Sequence, residues 1–130
     1  MQLDILMSLK MIKIVVKNGK NPTPYKRTTQ RQKFVDEGYK KYTQYKALIV
    51  AEFIKEYKCY PQKMLMPNTK YYVNVIAYYK DKKHADTDNV AKGVNDALFA
   101  KPLSDKYISG SYDYFYDKEN PRLEIEILES

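Results

Sequence analysis

The chain holds one cysteine, one histidine and four glycines in 130 residues, and these scarcities close off several chemistries. Cys59 has no partner for an intramolecular disulfide, and with His84 alone it cannot build the usual four-ligand zinc cage. It is expected to be a reduced thiol in a cytoplasmic protein. No glycine-rich phosphate loop is present, and no serine–histidine or cysteine–histidine pair has a supporting context. Long apolar runs are also missing. The N-terminal stretch MQLDILMSLKMIKIVVK is broken by Asp4, Lys10, Lys13 and Lys17. Nothing therefore approaches the roughly 20 residues that span a bilayer, and no signal-peptide cleavage pattern follows. Internal repeats and low-complexity tracts are absent from the sequence.

What is abundant is lysine and tyrosine. The net charge is +7 and the sequence pI about 9.3, and the charge is unevenly spread. Through Lys92 there are 19 basic and 8 acidic residues, and beyond it 4 basic and 8 acidic. A basic body with a local carboxylate cluster suits a polyanionic partner handled near a bound cation. A hydrophobic share of 44% indicates a folded chain, and its length suits one domain, 1–130, with a modest core.

Residues Met11 to Lys17, MIKIVVK, are rich in β-branched side chains and stop at Asn18-Gly19, which predicts a strand and a turn. The stretch NPTPYKRTTQRQKF, residues 21–34, carries two prolines and then Lys26, Arg27, Arg31 and Lys33 among threonines and glutamines. It reads as a basic loop, either a plain solvated connection or an arm that donates to phosphate oxygens. From Asp36 the period changes. Tyr42, Tyr45, Ile49, Phe53 and Tyr57 recur at spacings of three and four, the buried stripe of a long helix. Residues 60–69 read as a loop, and TKYYVNVIAYYK, residues 69–80, as a strand apolar enough on both faces to lie inside a sheet. A charged connection, DKKHADTDN, leads to a helix from Asn89 to Phe99. Two strands, Tyr107 to Tyr116 and Arg122 to Leu128, then surround the turn DKENP. The second alternates Leu123, Ile125 and Ile127 inward with Glu124 and Glu126 outward. The order β-α-β-α-β-β predicts an α/β (α+β) domain, a mixed sheet with two main helices packed on it.

The chemistry concentrates in HADTDNVAKGVNDAL, residues 84–98. An extended connection alternates its side chains, so Asp86 and Asp88 are expected to point the same way. Asp88 suits a helix N-cap, and Lys92 lies one turn further along that face. Two carboxylates about 5–6 Å apart do not both ionise cheaply unless a cation sits between them. Hard oxygen ligands suit Mg²⁺. A bare D-x-D also fits a cap plus a solvated acid. An EF-hand is excluded, because its fifth ligand position falls on Val90 and its glycine is absent. No nucleotide-sugar fold pattern surrounds the motif to make it a glycosyltransferase site.

The order KDKKH, Asp86-Thr87-Asp88-Asn89, Lys92 and Asp96-Ala97-Leu98, followed by LSDKYISGSYDYFY and ENPRLEIEI, resembles the RusA family of Holliday-junction resolvases. The resemblance runs over residues 11–128 and leaves Met1 to Lys10 as a possible N-terminal extension. It implies an endodeoxyribonuclease acting on four-way or branched DNA. Asp86, Asp88 and Asp105 would be metal ligands for Mg²⁺ (Mn²⁺ substituting), and Lys92 would stabilise charge developing on the phosphate. Ser104 stands where the family has the first member of an acidic pair, which leaves Asp105 as the third acid and Asp113 as the fallback. The family further implies a homodimer making paired symmetric nicks in DNA recombination and repair. Its frequency in phages and prophages implies a bacterial cytoplasm. Lys26, Arg27, Arg31, Lys33, Lys82, Lys83 and Asn89 become candidate DNA-binding residues, and Asp96 a structural one. Rival readings are a branched-DNA-binding protein without catalysis and a small ribonuclease needing no metal.

Overall fold

The computed structural model describes residues 11–29, 36–99 and 107–129. Strand β1, Met11–Val16, turns Ile12, Ile14 and Val16 inward and leaves the alternate residues exposed. Helix α1, Glu37–Tyr57, begins at Asp36, whose carboxylate accepts the Tyr39 N–H at 2.9 Å, and ends at Lys58 in a left-handed conformation. Its buried residues are Tyr42, Tyr45, Ile49 and Phe53, four of the five in the predicted stripe; Tyr57 is only partly buried, at the edge of the core, where its hydroxyl accepts the Lys13 N–H at 2.7 Å. A four-residue helix α2, Pro61–Met64, occupies part of the segment expected to be loop. Proline at its first position has φ already set and no N–H to leave unpaired. Strand β2 is Tyr71–Tyr79, helix α3 Thr87–Leu98, strand β3 Ile108–Tyr116 and strand β4 Arg122–Glu129.

The sheet order is β1-β4-β2-β3, with β1/β4 and β4/β2 antiparallel and β2/β3 parallel. This is the mixed α+β architecture expected from the sequence, with α1 and α3 on one face. Tyr71, Val73, Val75, Ala77 and Tyr79 of β2 face those helices with Leu123, Ile125 and Ile127 of β4, against Tyr45, Ile49, Phe53, Val90, Val94 and Leu98. The opposite face of β2, with Tyr72, Asn74, Ile76 and Tyr78, is exposed or half-buried, so among the described residues only one of its two faces is covered, where the sequence suggested both.

The final two strands do not form a hairpin, although only the turn 117–121 separates them: β2 lies between. The Asp117 N–H donates to the Tyr79 carbonyl at 2.8 Å as the chain passes the end of β2. Arg122 then fastens the turn, bonding Asp117, Glu124 and the Asn120 carbonyl, with its guanidinium 3.7 Å from the Tyr78 ring centroid. No described helix is long and apolar enough to cross a membrane.

Candidate active site

The connection from β2 to α3 carries the acids, and it is pinned from three sides. Asn21, in the loop after β1, accepts the Lys80 N–H at 2.6 Å and donates to Asp81 and to the Lys83 carbonyl, both at 3.1 Å. Those contacts and the Lys83 N–H hold the Asp81 carboxyl below its ordinary range. His84 stacks on Tyr79 with ring centroids 3.6 Å apart. Its Nδ1–H donates to the Ala85 carbonyl at 2.8 Å, so Nε2 accepts the Tyr116 hydroxyl at 2.9 Å. Thr87, the buried polar residue of the described chain, meets the Tyr79 hydroxyl at 2.9 Å. Burial pushes the Tyr79 phenol above its ordinary pKa.

The helix starts two residues earlier than its sequence suggested. Asp86, not Asp88, holds the N-cap position, and its carbonyl accepts the Asn89 and Val90 N–H groups at 3.1 and 3.3 Å. Buried Thr87 lies between the two acids in the chain, and the backbone that joins them turns from extended at Asp86 to helical at Thr87 rather than staying extended as expected. Asp86 ends the connection and Asp88 opens the first turn, both exposed. The Asp86 carboxylate makes no capping bond, and Asp88 accepts only the Asn89 N–H, at 2.9 Å, among the described residues. Neither forms an ion pair there. Two carboxylates outside any ion pair among the described residues thus stand where the helix dipole is positive.

Asp88, Lys92 and Asn95, one per turn of α3, line a groove of about 270 Å³ whose other wall includes Val73, Val75 and Ile108 to Tyr112. Lys92 is exposed, with its Nζ 4.3 Å from the centroid of the Tyr25 ring. Asn95 Oδ1 is buried and has no hydrogen-bond partner among the described residues, an acceptor between this groove and a neighbouring one of about 290 Å³ lined by Tyr25, Lys92 and Asp96. Asp96 is held by the Tyr42 hydroxyl and, at 2.9 Å, by Lys46. Partial burial works to raise its pKa, but these two bonds override it and leave the carboxyl below its ordinary range.

The predicted residues are partly assembled. Lys82, Lys83 and Asn89 are exposed around the acids, and Lys26 and Arg27 follow Tyr25, whose N–H donates to the Asn89 carbonyl at 3.0 Å. Arg31, Lys33 and Asp105 lie outside the described residues. Among the described residues no three histidine, cysteine or carboxylate side chains converge on one point. Asp113 is not brought to the pair. It is in register with Ile76, on the sheet face away from α3, and its carboxylate caps the Tyr114 N–H at 2.7 Å. Strand alternation, which puts Tyr112 and Tyr114 on the helix side, sends Asp113 to the other. Tyr25 and Asn95 were not anticipated. Asn95 follows from the 88-92-95 helical spacing, whereas nothing local marks Tyr25 beyond its place before Lys26-Arg27.

No curated protein matches the chain. The family model of the endodeoxyribonuclease RusA matches residues 19–128, from the loop after β1 through β4 and across every residue of the acidic turn. The chain therefore belongs to the RusA family of Holliday-junction endodeoxyribonucleases, enzymes that hydrolyse phosphodiester bonds in DNA.

Proposed function

We propose that this protein resolves four-way DNA junctions in recombination and repair, as a Mg²⁺-dependent homodimer that places paired symmetric nicks. The observation that carries the reading is the exposed Asp86 and Asp88 pair, free of ion pairs among the described residues, with Lys92 one turn away on the same groove. Their donor chemistry fits a hard divalent cation: oxygen ligands only, uncompensated by any lysine or arginine among the described residues. Held by Asp86, Asp88 and Asp105, Mg²⁺ or Mn²⁺ would supply Lewis acidity toward the phosphate and a lowered pKa for the attacking water.

The remaining work falls to the chain. Lys92 offsets negative charge growing on the phosphate oxygens. Lys26, Arg27, Arg31, Lys33, Lys82 and Lys83 bind the DNA backbone, giving affinity and shape recognition without reading bases. Asn89 steadies the basic loop through its carbonyl and offers its exposed side chain to the backbone.

Topology bears on the third ligand. Parallel pairing sets the first residue of β3 beside Tyr71, the start of β2. The groove lined by Asp88 and Lys92 reaches those first residues of β3, Ile108 and Ser109. Asp105 precedes β3 in the sequence, and we assign it as the third ligand on the family pattern, apart from the pairing of two subunits. Strand β3 supports the pairing. It is an edge strand, and Tyr112, Tyr114, Phe115 and Tyr116 along it are all about half exposed. A long aromatic edge of this kind is a template for a second chain.

The test is to incubate the protein with a four-way junction, a linear duplex and a single strand, with and without Mg²⁺, and map the nicks. Metal-dependent, symmetric nicks confined to the junction are expected. Cleavage that persists in EDTA, or equal cutting of the linear duplex, overturns the reading.

A further inference from the structure

Lys92 has two carboxylates within one helical turn, Asp88 before it and Asp96 after it. Spacings of four residues on a helix favour ion pairs, yet among the described residues Lys92 makes none. Two features account for this. Asp96 is already held by Tyr42 and Lys46 from α1. The Lys92 ammonium instead lies over the face of Tyr25, 4.3 Å from its centroid.

Tyr25 is itself fixed. Its N–H donates to the Asn89 carbonyl at 3.0 Å, and its ring meets Tyr42 edge-on with centroids 5.2 Å apart. Gly93 permits the approach, since a Cβ there would stand 3.2 Å from Tyr42 Cε1 and 3.4 Å from the Tyr25 nitrogen. An aromatic face attracts an ammonium through its quadrupole and does not neutralise it. A salt bridge would orient the lysine equally well but cancel the charge that a phosphate needs.

We propose that Tyr25 is a positioning residue, its ring holding the Lys92 ammonium beside the acidic turn outside any ion pair while the Tyr42–Lys46 clamp keeps Asp96 from capturing it. This rests on the assignment of Lys92 to the phosphate in the proposed function. The ring face, not the hydroxyl, does the holding, so Tyr25→Phe and Tyr25→Leu separate the role from ordinary packing.

In junction cleavage, Tyr25→Leu should lower kcat by about three- to tenfold with KM little changed, and Tyr25→Phe should keep most of the rate. In a Lys92→Ala background the Tyr25→Leu loss should vanish. Independently of activity, ring current from Tyr25 should shift the Lys92 ε-methylene NMR signals upfield, a shift kept in Tyr25→Phe and lost in Tyr25→Leu. Equal losses for Phe and Leu, additive losses with Lys92→Ala, or an unshifted Lys92 signal overturn the inference alone. A Lys92→Ala protein that cuts at the wild-type rate overturns the assignment of Lys92, and this role with it.

Discussion

Thr87 sits between the two acids, and replacing it with valine tests how the acidic turn is held. Thr87 is 7% exposed and Tyr79 0%, with their hydroxyls 2.9 Å apart. Valine keeps the shape and removes the hydroxyl. The Tyr79 hydroxyl would be left with the Ala85 carbonyl at 3.5 Å, too long to compensate. Leaving such a buried group short of a partner costs about 2 kcal/mol. For a domain of this size that is a fall in Tm of roughly 8 °C. Tyr79→Phe alone should cost about 1.5 kcal/mol, because Thr87 then loses its partner. The double variant leaves neither hydroxyl stranded, so its loss should stay near 2 kcal/mol, well short of the sum. Urea unfolding of the four proteins, with calorimetry for Tm, measures the cycle. Strict additivity, or a Thr87→Val protein as stable as wild type, would refute the account of how Thr87 and Tyr79 hold the acidic turn.

Three further outcomes are expected. Because the groove of Asp88 reaches the start of β3 in the same chain, co-refolding inactive Asp88→Asn with inactive Asp105→Asn should give no nicking, since neither site of a mixed dimer is complete; restored single-strand nicking would place the third ligand in the second subunit. Gly110→Ala should destabilise the fold by about 3 kcal/mol in urea unfolding, since its Cβ would fall 1.8 Å from the Val73 carbonyl oxygen and force β3 off β2. Asp96 has a folded-state pKa below its unfolded value, so its stabilisation is present above the ordinary carboxylate range and lost as pH falls through the folded value. Asp96→Asn should therefore flatten the acid limb of the stability–pH curve below about pH 4, and an unchanged limb would show that the Tyr42–Lys46 clamp adds nothing.

Periodic features were legible in the sequence. The α1 stripe of Tyr42, Tyr45, Ile49 and Phe53 and the alternation of Leu123, Ile125 and Ile127 each encode burial locally, and both are buried as read. The D-x-D-N-x-x-K run carried the family. What escaped depends on contacts distant in sequence. Asp88 resembled a cap because asparagine and valine follow it, but Thr87 is drawn inward by Tyr79, and the helix starts there. The turn 117–121 was read between two strands, but that β2 lies between them is a choice made by pairing across the sheet. Asp113 was a plausible reserve ligand until the register with β2 fixed its face. Tyr25 entered through a backbone bond to Asn89, which no local pattern announces.

The central claim is that Asp86 and Asp88 hold the divalent ion, and Mn²⁺ titration followed by electron paramagnetic resonance tests it without reference to cleavage. The wild-type protein should take up Mn²⁺ in competition with Mg²⁺, and Asp86→Asn and Asp88→Asn should each lose that uptake while remaining folded and still binding the junction. Undiminished Mn²⁺ binding by the folded variants would contradict the account.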